Sequence, residues 1–186
     1  MLFVCTANLC RSPLAEHLAR STSAELGLAL QADSAGTDAI AGEPIHPLAA
    51  ETLTRRGIAV APTWSSRLLD RSAIQTADLI LVAEASHRSR VAQLEPSAVA
   101  RTFLLLQFAE LVRAASNDNV RSLPDLCTAA NAARSRIAPV RHYSADIVDP
   151  IGGRRAAFDA CAATIHAAIA TSLRPLASGH RQLASD

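Results

Sequence analysis

The sequence contains no lysine, so each of the 18 basic residues among its 186 positions is an arginine. The absence of lysine excludes Schiff-base chemistry and any nucleotide-binding loop that depends on a lysine. The arginines are scattered along the chain, and the formal net charge is only +1. We therefore expect neither a nucleic acid nor a membrane surface as a partner.

Aromatic residues are also scarce, at 3% of the chain. The first residues do not combine a charged start with a long apolar segment, and no continuous apolar run approaches the roughly 20 residues that span a bilayer. The 4 cysteines therefore fit a reducing cytoplasm, where they are expected to be reactive or buried rather than joined in disulfides. These features predict a cytoplasmic protein.

Short apolar runs alternate with stretches of helical periodicity along most of the chain. The pattern predicts strands at 2–4, 28–35, 77–86 and 101–108, and helices at 12–26, 47–56, 108–115, 123–136 and 154–173. This alternation favours a three-layer α/β fold, in which a central parallel sheet of about four strands is flanked by helices on both faces. In such sheets ligands bind beyond the carboxyl ends of the strands.

The chain is predicted to form a single domain over residues 1–175, since no repeat or second domain is visible in the pattern. Residues 116–145 are irregular, and they are interpreted as an extended variable loop that holds one helix, at 123–136. Residues 176–186 are polar and small, and they are expected to form a flexible tail.

The most distinctive stretch is VCTANLCRSP, from Val4 to Pro13, directly after the first predicted strand. Its two cysteines, Cys5 and Cys10, have four residues between them, whereas a thioredoxin-type redox pair has two. No second cysteine or histidine pair stands at the spacing of zinc ligands, so no metal site is expected.

An oxyanion site explains more of these residues. A loop from Cys5 to Arg11 that joins a strand to a helix can turn its backbone N–H groups inward as a nest for an anion, and the positive end of the helix adds to it. This setting favours the thiolate form of Cys5, and the planar fork of Arg11 fits two oxygens of phosphate or arsenate. Ser12 can donate a hydrogen bond to the sulfur, and Asn8 tolerates a left-handed backbone.

The phosphate-binding residues predicted from this loop are Thr6, Ala7, Asn8, Leu9, Cys10, Arg11 and Ser12. A cysteine six positions before an arginine is, when isolated, better explained by a buried strand cysteine and an ordinary helix start. The strand–loop–helix context and the added Asn, Ser and Pro favour the anion site here.

At this point the sequence resembles the low-molecular-weight protein tyrosine phosphatase family, whose motif is Cys-x-Gly-Asn-x-Cys-Arg-Ser-Pro. This chain has CTANLCRSP in the same place. Further matches follow in the family's order, among them DSAGT (33–37), RRGI (55–58), ADLILV (77–82) and VDP (148–150). The longer stretch at 116–145 resembles variants with an extended loop.

The resemblance implies a phosphomonoester hydrolase that needs neither metal nor cofactor and acts on phosphotyrosine in proteins or on a small phosphomonoester. It implies that Cys5 attacks phosphorus to form a phosphocysteine, and that Asp149 serves as general acid and then as base. Arg11 and the loop N–H groups would hold the phosphoryl oxygens. Asp146 competes for the acid role, but Asp149, which forms the Asp-Pro pair with Pro150, fits the family position.

The resemblance also gives supporting roles. Asn8, Ser12 and Ser34 would form the hydrogen-bond network that shapes the loop. Cys10 matches the family's second loop cysteine, which under oxidants could pair with Cys5 and protect it. A small buried residue is the equally weighted alternative for Cys10. Cys127 and Cys161 are expected to be structural.

Some residues depart from the family pattern. Ala7 stands where a glycine is usual, which would be strained if the backbone there needed a positive φ. Trp64 stands where many members have a histidine, and Ile40 and Ile151 stand where many have aromatic residues that grip the phosphotyrosine ring. His87 is expected at the surface or at a helix start.

Two other functions remain open from the sequence. Arsenate reductases can use the same loop, because arsenate mimics phosphate, but they need a thiol relay. LVAEASHRSRV (81–91) has no cysteine pair, so such a relay would use an external thiol. A non-catalytic domain that binds phosphate or phosphoproteins is the second alternative.

Overall fold

A four-stranded parallel sheet forms the centre of the computed structural model, which describes residues 1–116, 120–136 and 145–183. Its strands, in the spatial order β2-β1-β3-β4, are β1 (Leu2–Cys5), β2 (Asp33–Gly36), β3 (Ile80–Val82) and β4 (Thr102–Leu104). Cys5 at the end of β1 lies opposite Gly36 of β2. Because all four strands run in parallel, their carboxyl ends share one edge.

Helices cover both faces of this sheet, as the sequence predicted. They are α1 (Arg11–Glu25), α2 (Pro47–Arg55), α3 (Arg71–Thr76), α4 (Ala85–Leu94), α5 (Leu105–Ala114), α6 (Leu123–Ala133) and α7 (Arg155–Leu183), with short 3₁₀ helices at Pro96–Arg101 and Arg134–Arg136.

The two faces of the sheet carry separate apolar clusters. Phe3 and Leu81 belong to the larger cluster, with residues of α1, α5, α6 and α7, while Val4 and Ile80 belong to the smaller one, with residues of α3 and α4. Neighbouring strand residues point to opposite faces, so continuous apolar runs are needed where both faces are covered. The three-layer α/β prediction is therefore confirmed.

Several element boundaries differ from the predictions. β2 begins at Asp33 rather than at position 28, since the Leu28 N–H still bonds to the Ser23 carbonyl at the end of α1. The apolar run at 77–86 contains a strand only at 80–82, and α4 begins at Ala85. α5 begins at Leu105, because Leu105, Phe108 and Val112 lie on one buried helical face.

The end of the chain was predicted wrongly. The last helix was expected to end at Leu173 and a flexible tail to begin at 176, but α7 continues to Leu183 with Leu176 and Ala177 buried in the core. Pro175 lies inside this helix without ending it. Residues 184–186 of the expected tail lie outside the described residues.

α7 also contains a long apolar stretch. Arg155–Ser178 is long and apolar enough to cross a membrane by length and composition alone. It packs against α1, α2 and α5, and its buried side chains, including Phe158 and Ile165, belong to the larger core cluster. A core helix of this kind explains the composition without a membrane.

Within the stretch 116–145, the described residues 120–136 are mostly helical. α6 begins after Ser122, whose side chain accepts the Asp125 N–H at 3.2 Å, and a 3₁₀ turn extends it to Arg136, where the sequence placed its end. Leu126 and Ala130 of α6 are fully buried. Positions 117–119 and 137–144 of the expected loop lie outside the described residues.

Candidate active site

The loop between Cys5, at the end of β1, and Arg11, at the start of α1, lies at the carboxyl edge of the sheet. The carbonyl groups of Cys5 and Thr6 accept hydrogen bonds from the backbone N–H groups of Thr37 and Asp38 at 2.9 and 3.0 Å. These bonds attach the carbonyl side of the loop to the segment that follows β2. The opposite, N–H side is then available to face the centre of the loop, as an anion nest requires.

Asn8 makes the left-handed turn of this loop. Its φ is 55°, and no other non-glycine residue in the described part of the chain has a positive φ. Ala7 therefore adopts an ordinary backbone conformation, and the strain considered for a missing glycine does not arise. The position that does require glycine is Gly36, where a Cβ would lie 2.4 Å from the Thr6 carbonyl oxygen.

A buried hydrogen-bond network surrounds the sulfur of Cys5. Cys5 Sγ lies 3.0 Å from Ser12 Oγ. Asn8 Nδ2 donates to Ser12 Oγ at 2.9 Å and to Ser34 Oγ at 2.8 Å. The structure thus brings together the residues proposed to shape the loop, and all four are nearly inaccessible to solvent.

The guanidinium of Arg11 is the centre of a charged cluster. It donates to Glu84, to the Ile147 carbonyl at 3.1 Å, to Thr6 Oγ1 at 3.3 Å and to Asp149 Oδ2 at 2.6 Å. Burial alone would lower the pKa of Arg11, but the hydrogen bond to Glu84 and the charge of Asp149 raise it. Arg11 therefore stays cationic at the mouth of the loop.

Glu84 is a site residue that the sequence analysis missed. Burial acts to raise the pKa of its carboxyl, but the hydrogen bond and charge of Arg11 outweigh burial and lower it. Its position directly after β3 was an available signal, since side chains at the carboxyl ends of neighbouring parallel strands meet at one edge.

His87 contacts the loop rather than solvent. It is the third residue of α4 and only 2% exposed, so the predicted helix start is found but the surface position is not. Its Nδ1 accepts the Glu84 N–H at 3.1 Å, so Nε2 carries the proton and donates to Thr6 Oγ1 at 2.9 Å. Burial lowers the pKa of His87, which is consistent with a neutral ring.

Asp149 and Asp146, the two candidates for the general acid, have different surroundings. Asp149 is 38% exposed beside Arg11, and its Oδ1 accepts the Ile151 N–H at 3.1 Å. Asp146 Oδ1 instead accepts the N–H of Ala85 at 3.0 Å, at the start of α4. The geometry therefore favours Asp149.

The other thiols lie behind the loop in the larger apolar core. Cys10 and Cys161 are 4% and 7% exposed, and burial raises the pKa of each to about 12. Both stay protonated at neutral pH, as does Cys127, whose pKa is raised to about 12 by burial. All four cysteines of the chain are unpaired.

Exposed aliphatic side chains flank the mouth of the loop. Val148 and Ile151, on either side of Asp149, are 84% and 53% exposed, and Ile40, two residues after the Asp38 that bonds to the loop, is 73% exposed. We call Ile40, Val148 and Ile151 the rim residues. Ile40 and Ile151, which the sequence placed where many family members have aromatic residues, are thus exposed aliphatic side chains.

Comparisons with known proteins agree with this geometry. Residues 1–125 match the model of the family described as low molecular weight phosphotyrosine protein phosphatase. The chain is 30% identical over 110 residues to the low molecular weight protein-tyrosine-phosphatase Etp of Escherichia coli K12, which covers 59% of this chain and 71% of that protein. It is 36% identical over 92 residues to the protein-arginine-phosphatase of Bacillus subtilis 168, covering 50% of this chain and 60% of that protein.

Solved structures show the same fold. The low molecular weight protein tyrosine phosphatase from T. tengcongensis superimposes with a TM-score of 0.72 at 25% identity, covering 93% of this chain and 96% of that one. With the matching loop and the family model over two thirds of its length, the chain belongs to the low molecular weight phosphotyrosine protein phosphatase family, whose members are cysteine-based phosphatases.

Proposed function

We propose that the chain hydrolyses phosphotyrosine in proteins, through a covalent phosphocysteine on Cys5. The observation that carries this proposal is the Cys5 sulfur, 3.0 Å from the Ser12 hydroxyl, in a loop whose mouth holds the Arg11 guanidinium and the Asp149 carboxyl. A cytoplasmic setting, which keeps Cys5 reduced, is part of the proposal.

In the first step the Cys5 thiolate attacks phosphorus as the bond to the phenolic oxygen breaks. Asp149, in its protonated form, gives its proton to that oxygen, so that phenol rather than phenolate departs. Arg11 and the loop N–H groups bind the phosphoryl oxygens, where preorganised donors stabilise the transition state.

In the second step a water molecule attacks the phosphocysteine. Asp149, now a carboxylate, takes a proton from the water as the phosphorus–sulfur bond breaks. Inorganic phosphate leaves, and Cys5 returns to its thiolate form. The hydrogen bond from Ser12 stabilises the sulfur as it departs.

Phosphoarginine is a second candidate substrate. Two observations favour it: the similarity to a protein-arginine-phosphatase, and rim residues that offer no ring to stack on a phenyl group. The aliphatic stem of a phosphoarginine would contact this rim as well as the ring of a phosphotyrosine would. Ala7 does not strain the loop, so it gives no reason to prefer a phosphate-binding regulator over an enzyme.

Hydrolysis of p-nitrophenyl phosphate, of a phosphotyrosine peptide and of a phosphoarginine peptide tests the proposal. The wild type is expected to turn over p-nitrophenyl phosphate, with the phosphotyrosine peptide preferred, and Cys5→Ser should abolish all three activities. Cys127→Ser, which changes a buried cysteine on α6, is the matched control and should keep them.

Phosphate binding and arsenate reduction measured in parallel separate the alternatives. Phosphate binding without turnover of any of the three substrates would contradict an enzyme and favour a regulator. Arsenate reduction with small thiols, without hydrolysis of any of the three substrates, would contradict the phosphatase proposal and favour a reductase. Preference for the phosphoarginine peptide would replace the substrate but keep the mechanism.

A further inference from the structure

Glu16 is a buried carboxylate beneath the catalytic loop. It follows Ser12 by four residues on α1, so the two side chains share a helix face, and its own side chain is only 4% exposed. Glu16 Oε2 accepts from Ser34 Oγ at 2.5 Å and from Trp64 Nε1 at 3.2 Å, and Oε1 pairs with Arg20 at 2.8 Å.

The hydrogen bonds around Glu16 can run in only one direction. A carboxylate has no proton to donate, so the Ser34 hydroxyl donates to Glu16. Because that hydroxyl has only one proton, it must accept the hydrogen bond from Asn8 Nδ2. The orientation of the Asn8 amide is consistent with this direction, because its Oδ1 accepts the backbone N–H of Arg67 at 2.9 Å. Both protons of the Asn8 amide therefore point to Ser34 and Ser12.

The same order reaches the sulfur of Cys5. Ser12 Oγ accepts from Asn8, which leaves its own proton to donate. The Cys5 sulfur lies 3.0 Å from Ser12 Oγ, and the other acceptor in reach, the Ala35 carbonyl, is farther away at 3.3 Å. A chain of hydrogen bonds thus connects Glu16 to Cys5 through Ser34, Asn8 and Ser12.

Trp64 helps to fix the direction of the hydrogen bonds at the Glu16 end of this chain. An indole N–H can only donate a hydrogen bond, whereas a histidine ring at this position could donate or accept one. With Trp64, Ser34 and Arg20 all donating, Glu16 can serve only as the acceptor.

We propose that Glu16 is a positioning residue, whose carboxylate directs the Ser34, Asn8 and Ser12 hydrogen bonds so that Ser12 donates to the sulfur of Cys5. The inference rests on the proposed role of Cys5 as nucleophile. A donor to the sulfur stabilises the charged thiolate more than the thiol, and it also stabilises the sulfur as a leaving group in the second step.

Alkylation of Cys5 by iodoacetamide as a function of pH, without substrate, tests this role. Glu16→Met removes the acceptor and should move the pH profile upward, so that the rate near neutral pH falls about tenfold. Glu16→Gln keeps an oxygen for Ser34 and should stay within about threefold of the wild type. Thr22→Val changes another buried polar residue of α1 and should leave the profile unchanged.

Ser34→Ala breaks the chain at its next link while keeping the buried carboxylate. It should shift the profile as much as Glu16→Met does, and the double variant should shift it no further. Additive shifts, which a packing role of Glu16 predicts, would overturn the proposal. So would a wild-type profile in folded Ser34→Ala, a test that remains if Glu16→Met does not fold.

These outcomes are independent of the proposed function. Alkylation reports the state of the Cys5 sulfur whether or not a phosphate ester is hydrolysed. A protein without phosphatase activity that shows the Glu16 effect would contradict the function and keep the positioning role.

Discussion

The catalytic loop and its rim are built from opposite kinds of side chain. Asn8, Arg11 and Ser12 in the loop are polar, at most 3% exposed and each held by two or more hydrogen bonds. Ile40 and Ile151 at the rim are apolar and more than half exposed. Preorganised polar groups are what phosphoryl transfer needs, whereas an exposed aliphatic surface binds what the phosphate is attached to. In the proposed function the loop therefore carries out the chemistry, and the rim contacts the group that bears the phosphate.

The largest effect is expected from removing the acid that connects the two regions. Asp149→Asn should lower kcat/KM for phenyl phosphate, which has a poor leaving group, by about a hundredfold or more. The value for p-nitrophenyl phosphate should fall far less, because its leaving group needs no proton and because kcat/KM reports only the steps up to its departure. Steady-state kinetics with both esters measure the difference.

The matched control for this prediction is Asp146→Asn, since Asp146 lies at the start of α4 rather than beside Arg11. Equal losses of kcat/KM for the two esters in Asp149→Asn would remove Asp149 from the acid role. A leaving-group effect in Asp146→Asn would transfer that role.

A smaller effect is expected at the rim. Ile151→Tyr places a ring beside Asp149, and stacking between aromatic rings should raise kcat/KM for a phosphotyrosine peptide about two- to tenfold. Turnover of a phosphoarginine peptide should not rise. Val99→Tyr alters an exposed aliphatic residue in the 3₁₀ helix that precedes β4 and serves as control. An equal gain from Val99→Tyr would show that the rim does not select the substrate.

Sequence predicted the loop better than the rest of the site because the loop is local. The spacing of Cys5, Arg11 and Ser12 is fixed within one strand–loop–helix unit, so chemistry and local structure point to the same residues. Glu84 and His87 reach the loop from the end of β3 and from α4, and the position of Glu84 after an apolar run was the only sequence signal of that contact. Glu16 looked like an ordinary residue of an amphipathic helix.

The fold shows the same division between local and distant information. Alternating apolar and helical patterns were sufficient for the layers and the four strands, but the predicted helices included neither α3 nor α4. Element boundaries were predicted wrongly where one apolar run contains both a strand and a helix, as at Leu104 and Leu105. An apolar run is compatible with a strand or a helix, so the pattern does not show where one ends and the other begins. The extension of α7 past Pro175 depends on packing of Leu176 in the core, which the polar composition of the tail did not indicate.

Oxidation should distinguish the two loop cysteines. Hydrogen peroxide converts the Cys5 thiolate to a sulfenic acid, which the Cys10 thiol can attack to form a disulfide and release water. Since the pKa of Cys10 is raised to about 12, the yield of this link should increase with pH by a few-fold between about pH 7 and pH 9. Mass mapping after peroxide treatment measures it, with Cys161→Ser as control. Cys5 sulfonic acid without any Cys5–Cys10 link would contradict a protective role.

The smallest effect concerns stability. Burial lowers the pKa of His17 and of His87 in the folded chain, so the unfolded chain binds more protons as the pH falls below about 6.5. The free energy of unfolding should then decrease by about 1 kcal/mol from pH 7.5 to 5.5. Urea denaturation at both values measures this decrease, and His17→Gln should reduce it. An unchanged pH dependence in both His17→Gln and His87→Asn would assign the effect to other groups.

The central claim is that Cys5 carries the phosphoryl group during turnover. Rapid acid quenching of the enzyme during hydrolysis of a phosphotyrosine peptide, followed by mass spectrometry of the peptide that contains residues 5–11, tests this claim most directly. Phosphate is expected on Cys5, in greater amount in Asp149→Asn with p-nitrophenyl phosphate, because the base for the second step is missing. Turnover without phosphate on Cys5, or with phosphate on another residue, would contradict it.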